Sequence, residues 1–344
     1  MYGDNYGYRS GLNKHMVAHL HAKIAAIQGM VALAPGDLVI DIGANDGTSL
    51  GAYREDLLLV GVDPTGAKFQ QFYKSHVQLI PDFFSASLIE NAFPGRRAMV
   101  ITSFSMLYDL ENPVAFALDI AKVLDESDGI WVFEQSYMPL MLERVAYDTA
   151  CHEHLEYYGL QQIMWLLDRV GLKVVDVDLN DVNGGSFSVV AASNHSKLAV
   201  KTEKISNLLA AEMRAHLNDL TPYQDFDAQI KKAKAGLVDL VKNARQQGKR
   251  VAALGASTKG NVLLQYCGFT PQDIEVVGEV NPDKFGTYTP GTWIPIEDEK
   301  TILAKGYDFL IVLPWHFRSF FIESPIFKGQ KLVFPLPSLE VVTL

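Results

Sequence analysis

Leu38-Val39-Ile40-Asp41-Ile42-Gly43-Ala44-Asn45-Asp46-Gly47 is an apolar run rich in β-branched residues that ends in a glycine turn. Such a run favours a buried strand, and the turn predicts a helix after it. Leu58-Leu59-Val60-Gly61-Val62-Asp63 repeats the strand pattern after a helix-length gap. Met99-Val100-Ile101-Thr102-Ser103 and Gly129-Ile130-Trp131-Val132-Phe133-Glu134 continue the alternation. Strands alternating with helix-length gaps predict an α/β fold with a parallel, doubly wound sheet.

Upstream, Val17, Leu20, Ile24 and Ile27 recur at helical spacing, which predicts a helix from Met16 to Ile27 within an N-terminal segment at 1–30. Downstream, Leu172 to Leu179 and Gly185 to Ala192 are strand-like and joined by Asn180-Asp181-Val182-Asn183-Gly184. They are expected to pair antiparallel at a sheet edge, closing a first domain at 31–195. Residues 196–247 are polar with helical periodicity and read as connecting helices. At Arg250-Val251-Ala252-Ala253-Leu254 a strand runs into Gly255-Ala256-Ser257-Thr258-Lys259-Gly260-Asn261. Val276-Val277-Gly278 and Phe309 to Leu313 follow, which predicts a second α/β domain at 248–344.

The chain has 344 residues, 48% hydrophobic and 20% charged, a globular balance with room for two cores. Its net charge of -10 disfavours nucleic-acid backbones. With only Cys151 and Cys267, neither a disulfide framework nor a four-thiolate zinc site can form. No apolar run approaches membrane-spanning length, and the N-terminus lacks a signal pattern, so a cytoplasmic location is expected.

In a doubly wound sheet, ligands meet the glycine turn at the carboxyl ends of the strands. Asp41-x-Gly43-x-Asn45-x-Gly47 departs from the Gly-x-Gly-x-x-Gly spacing that aims a helix at a pyrophosphate, which indicates a ligand without phosphates. S-adenosylmethionine is such a ligand. Its amino-acid end suits Asp41 and the turn formed by Gly43, Asn45, Asp46 and Gly47, and its cation tolerates the carboxylates nearby. Asp63 ends the second strand roughly 20 residues on, where an acid meets ribose hydroxyls in such folds. Asp82 and Phe83 are expected to hold the adenine by hydrogen bond and stacking, unless Phe83 and Phe84 are core. Ser103, ending the fourth strand, completes the donor set.

At this point the sequence resembles the C-methyltransferases of nucleotide-linked keto-deoxysugars. The resemblance rests on Tyr6-Gly7-Tyr8-Arg9-Ser10, Tyr147 to Tyr158 with its Cys151-His152-Glu153-His154 core, Asn183-Gly184-Gly185-Ser186, Gly255 to Gly268, Asn281-Pro282-Asp283-Lys284, Pro290-Gly291-Thr292 and Leu313-Pro314-Trp315-His316-Phe317. It implies a class I, Rossmann-like donor domain followed by a Rossmann-like domain for the sugar nucleotide. There are three departures. Members commonly begin with a cysteine-rich zinc module and this chain starts after where it would end, so no metal is expected. Cys151 stands where many members have tyrosine. The loop after the fourth strand reads Ser103 to Asp109, where Tyr108 stands in for an Asn and a His.

Carbon becomes a nucleophile only when a proton beside a carbonyl is removed, which calls for a base, and imidazole titrates in the right range. The resemblance implies His154 as base, Glu153 as orienting group and His152 as reserve. Cys151, His152 and His154 are metal-ligating types, but three neighbours converge poorly on one ion. In the second domain, small residues and a lysine at a strand-to-helix turn suit a phosphate. By resemblance this turn, with Ser257, Lys259 and Asn261, holds the diphosphate, with Lys284 and Pro290-Gly291-Thr292 nearby and Asn281 among the substrate residues; a tight turn with a solvated lysine is the alternative. Tyr8 and Asn183 are assigned to the sugar nucleotide, although Asn-Gly-Gly is also good hairpin chemistry. Trp315 and His316 read more as packing than as cleft. The expected reaction is transfer of methyl to a carbon, C3 by resemblance, of a nucleotide-linked 4-keto-6-deoxyhexose. O- or N-methylation, an NAD-dependent nucleotide-sugar enzyme, and a sugar-nucleotide binder without chemistry are the alternatives.

Overall fold

The computed structural model describes residues 7–344. Tyr6 and the start of the 1–30 segment lie outside them. The chain divides into two compact units.

The first unit comprises residues up to 137, 155–180 and 186–214. It opens with helix α1 (Lys14–Gln28), capped by the Asn13 side chain. Strands β1 (Leu38–Ile42), β2 (Leu58–Val62), β3 (Val77–Ile80), β4 (Ala98–Phe104) and β5 (Ile130–Ser136) alternate with short helices α2 (Ala86–Ala92) and α3 (Pro113–Val123). The seven-stranded sheet runs β3-β2-β1-β4-β5-β7-β6, where β6 is Leu172–Asn180 and β7 is Ser186–Ser193. The first five strands are parallel, whereas β7 is antiparallel to β5 and to β6. The expected edge hairpin is therefore present. All five β1 residues are buried, as a central parallel strand requires.

The helix expected after β1 is reduced to a 3-10 turn at Leu50–Ala52. Gly47, Thr48, Ser49 and Gly51 all weaken helix, and no long apolar face offsets them.

The second unit comprises 138–154, 181–185 and 215–344. Its six-stranded sheet runs β10-β9-β8-β11-β12-β13, with β8 (Val251–Leu254), β9 (Val277–Glu279), β10 (Ile296–Asp298), β11 (Phe309–Val312) and β12 (Lys331–Phe334) parallel and β13 (Glu340–Thr343) antiparallel. Both units are thus α/β, each built on a mostly parallel sheet.

These units differ from the boundaries at 195 and 247, for a packing reason. Helix α4 (Met138–Glu143) and the turn after it place Met141, Val145 and Tyr147 in one core with Leu237 and Val241 of α7 (Thr221–Gln246) and Leu263 of α8 (Thr258–Cys267). Conversely, α6 (Thr202–Arg214) stays with the first unit. Its buried Glu212 accepts from the Leu160 and Gln161 amides at the start of α5 (Leu160–Arg169) and from the Tyr137 hydroxyl at 2.8 Å. A carboxylate at a helix N-terminus satisfies orphan N–H groups and meets the positive end of the dipole. The second unit is completed by α9 (Glu299–Lys305) and α10 (Arg318–Glu323). Among the described residues no helix is long and apolar enough to cross a membrane.

Candidate active site

In the first unit, Gly43, Asn45 and Gly47 all take left-handed φ (71°, 52° and 74°), so the chain after β1 coils into a turn that only glycine and asparagine enter readily. Asp41 lies buried in β1, and its carboxylate accepts from the Thr102 hydroxyl. Burial pushes the Asp41 carboxyl up to about 7, with Thr102 opposing and the charge of Asp63 adding to the rise. Asp63 is buried at the end of β2. Its Oδ2 accepts from Asn45 N at 2.8 Å, and its Oδ1 accepts from Thr65 N and Oγ1, each at 2.7 Å. A carboxylate so held has a fixed direction, and Oδ2, which accepts one bond, keeps capacity for a ribose hydroxyl.

The neighbouring side chains have other tasks. Asn45 accepts from Ser10 N at 3.0 Å and donates to the Tyr8 carbonyl at 2.9 Å. Asp46 accepts from Gly11 N at 2.9 Å and from Thr48 Oγ1 at 2.6 Å. Arg9 stacks 3.6 Å over the Phe72 ring beside Asp46. Residues 8–11 are therefore strapped to the turn, and Tyr8, assigned to substrate by resemblance, enters through its backbone. Phe83 is 65% exposed, which removes the core reading and leaves a ring open to stacking, whereas Phe84 packs edge-on against Phe116. Asp82 is exposed and accepts from Phe83 N. Ser103 is fully buried, with its hydroxyl accepting from Trp131 Nε1 at 3.0 Å, so it presents no surface to a ligand. Tyr108 is buried, and its carbonyl accepts from the Leu155 and Glu156 amides.

In the second unit, a 3-10 turn at Tyr147–Thr149 leads into Cys151-His152-Glu153-His154. His154 is half-buried and its imidazole donates to the Thr149 carbonyl. Burial, and then the Lys259 ammonium, pull it down to about 4, with His152 adding and the Thr149 carbonyl opposing. His154 is therefore a neutral imidazole at physiological pH. His152 is exposed, with its ring 4.0 Å from the Glu153 carboxylate.

Lys259, on the first turn of α8, points to protein partners. Its Nζ donates to Thr149 Oγ1 at 3.2 Å and to the Asn183 carbonyl. Asn183, Gly184 and Gly185 have successive φ of 55°, 91° and 132°, a path that explains the Asn-Gly-Gly sequence without a ligand. Trp315 is buried and donates to Asp148 Oδ2 at 2.9 Å. Asp148 Oδ1, Asn261 Oδ1 and His316 Nδ1 are buried without a hydrogen-bond partner in the protein. Burial, and then Lys259, drive His316 down to about 3.

The glycine turn after β8 is occupied from within. Ala256 N donates to Glu279 Oε2 at 3.0 Å, while Glu279 Oε1 accepts from Val280 and Asn281 amides. Lys284 Nζ donates to the Ala256 carbonyl at 2.8 Å, Ser257 caps α8 through Gly260 N, and Asn281 caps the next turn through Asp283 N. Of the residues expected to hold a diphosphate, only Asn261 keeps a buried polar atom uncommitted to the protein. Glu279, Thr149 and Asp148 escaped the sequence reading. Glu279 was legible by analogy, since it ends its strand and receives the amide of the turn after β8 as Asp63 does for the turn after β1. No cluster of three His, Cys, Asp or Glu able to hold a metal occurs among the described residues.

A methyltransferase-domain family model matches residues 13–177, which spans most of the first sheet, and a C-methyltransferase C-terminal domain model matches residues 181–337. The chain is an S-adenosylmethionine-dependent methyltransferase, its first domain of the class I, Rossmann-like type and its second also α/β. Its homologue C-methyltransferase NovU of Streptomyces niveus is 28% identical, over 98% of this chain and 81% of NovU. Among solved structures, the putative methyltransferase complexed with the Trm112 activator of Haloferax volcanii shares 14% identity at TM-score 0.42, covering 53% of this chain and 94% of its own. Magnesium protoporphyrin IX methyltransferase of Synechocystis PCC 6803, with bound SAM, shares 15% at TM-score 0.38, covering 56% and 87%.

Proposed function

We propose that this methyltransferase forms a carbon–carbon bond on a nucleotide-linked 4-keto-6-deoxyhexose, at C3, through an enolate generated by His154. The reading is supported by a neutral imidazole with one ring nitrogen donating to a backbone carbonyl, which places the basic lone pair on the other nitrogen. His154 removes the proton from the carbon beside the ketone. The electron pair left behind delocalises onto the ketone oxygen, then forms the bond to methyl as the sulfur–methyl bond breaks, giving S-adenosylhomocysteine. The donor supplies the electrophilic methyl on a sulfonium. Asp41, Gly43, Asn45, Asp46, Gly47, Asp63, Asp82 and Phe83 form or frame its site. Three carboxylates around this turn suit a cation and repel phosphate, which favours this donor over a dinucleotide.

The partnerless Asp148 Oδ1, Asn261 Oδ1 and His316 Nδ1 support a polar ligand in the second unit, because each buried polar atom left unmet costs about 1–3 kcal/mol. A hydroxyl-rich sugar meets that demand. Glu153 orients the sugar, His152 is the reserve base, and Tyr108 is the candidate substitute for the missing family side chains. The protein is incubated with S-adenosylmethionine and a nucleotide-linked 4-keto-6-deoxyhexose, and the product is analysed by NMR. A new carbon-bound methyl is expected, and methyl on oxygen or nitrogen overturns the reading.

Donor binding is also expected to depend on pH. The Asp41 carboxyl, held at about 7 without ligand, must ionise to pair with the donor ammonium. Below that pH it is protonated, so affinity falls about tenfold in all as pH drops from 8 to 6, and approaches tenfold per unit only at lower pH. Calorimetry with S-adenosylhomocysteine in buffers of different ionisation enthalpy reads the released proton, and equal heats in all buffers at pH 6.5 refute the linkage.

A further inference from the structure

We infer that Lys259 is a positioning residue for His154: its ammonium clamps the Thr149 hydroxyl and the Asn183 carbonyl, and so fixes the carbonyl of Thr149 on which the imidazole is oriented. The inference rests on His154 being the base.

Two contacts converge on one buried residue. Thr149 is almost completely buried, its hydroxyl accepts from Lys259 Nζ, and its carbonyl accepts from the His154 ring. A carbonyl that accepts from one ring nitrogen selects the tautomer and the ring plane, a second-sphere role that decides whether the other nitrogen is aimed productively. The clamp is braced on both sides. Trp315 fixes the Asp148 carboxylate next to Thr149, and Arg144 holds the 181–185 loop through Asp181 at 2.6 Å and the Gly184 carbonyl. Lys259 therefore commits two of its three donors to two loops of the same unit.

The electrostatics run the same way. Groups around the cluster are Asp148 on the 3-10 turn, Cys151, His152 and Glu153 on the histidine's own segment, Lys259 on α8, and His316 on the turn before α10. Lys259 disfavours a second positive charge on His154, whereas Asp148 and Cys151 act on Lys259 itself. Removal of the ammonium should raise the titration of His154 and loosen its tautomer.

The test compares Lys259→Met, Lys259→Arg and Thr149→Val. In protein labelled with ¹⁵N-histidine, with His154 resonances identified by their loss in His154→Asn, the native imidazole should titrate near 4. In Lys259→Met the midpoint should move toward the ordinary 6.5, with both tautomers populated, and Lys259→Arg should restore the low midpoint. In turnover, kcat should fall roughly ten- to a hundredfold in Lys259→Met, the scale of a misplaced group, while KM for the nucleotide sugar stays within about twofold. Thr149→Val, isosteric and lacking only the hydroxyl, should lose kcat in the same direction. An unchanged His154 titration and tautomer in Lys259→Met, or a rise in KM with kcat intact, overturns the positioning role. The NMR measurement needs no substrate, so failure of the base assignment, read as proton exchange surviving in His154→Asn, is separable from failure of the clamp.

Discussion

His154→Asn should abolish exchange of the sugar proton beside the ketone for deuterium, and with it methyl transfer. The variant keeps a donor toward the Thr149 carbonyl but has no basic lone pair. General-base catalysis contributes roughly 10²–10⁴-fold, so exchange measured without donor should fall by at least about a hundredfold. Affinity for S-adenosylhomocysteine should stay unchanged, which separates lost chemistry from lost structure. In the native protein the exchange rate should hold level from pH 8 down to about 5 and decline only as the imidazole protonates near 4, because burial and Lys259 have already moved its titration out of the physiological range. Exchange that persists at the native rate in the variant, or a native rate that declines through pH 6.5, removes His154 from the role.

Asp63→Ala should be the most damaging single change to donor binding. The carboxylate accepts from Asn45 N, Thr65 N and Thr65 Oγ1, so its loss strips the turn after β1 of its charged anchor as well as the acceptor proposed for the ribose. Hydrogen bonds to a charged group are worth about 1.5–3 kcal/mol each, so loss of one lowers affinity roughly ten- to a hundredfold and loss of two by about a hundredfold or more. Calorimetry with S-adenosylhomocysteine measures the loss directly. Asp63→Asn retains acceptors on one oxygen only and should fall between the two, and an affinity within a few-fold of native for the alanine variant refutes the assignment.

The sequence made the two sheets legible because their central strands are buried on both faces, and burial selects continuous Val, Ile and Leu runs such as Leu38–Ile42 and Phe309–Val312. It also marked Gly43, Asn45 and Gly47, whose left-handed geometry permits few residue types, together with Asp41 in the strand before them. Edge elements were less legible. β13 is mostly exposed and β10 has three residues, so neither carries a strong hydrophobic period. The direction of a long side chain was not legible at all. Lys259 and Lys284 stand in a sequence context that suits phosphate, yet each ammonium turns to a carbonyl, a choice set by residues distant in sequence. The partner of Ser103 was not legible for a related reason: strand alternation says which face a hydroxyl takes, not that Trp131, on the next strand, donates to it. Tyr108 and Thr149 also engage other residues through their backbone carbonyls, contacts that side-chain identity does not reveal.

The chain crosses between its two compact units several times, since 138–154 and 181–185 count with the second and α6 with the first. The second unit is consequently not a cassette. Recombination that exchanged residues 215–344 alone would import a core lacking its own Met141, Val145 and Tyr147 and would leave the resident His154 loop behind. Exchange of the second unit by module shuffling is therefore disfavoured, and grafting it onto another first unit requires transplanting all three stretches together.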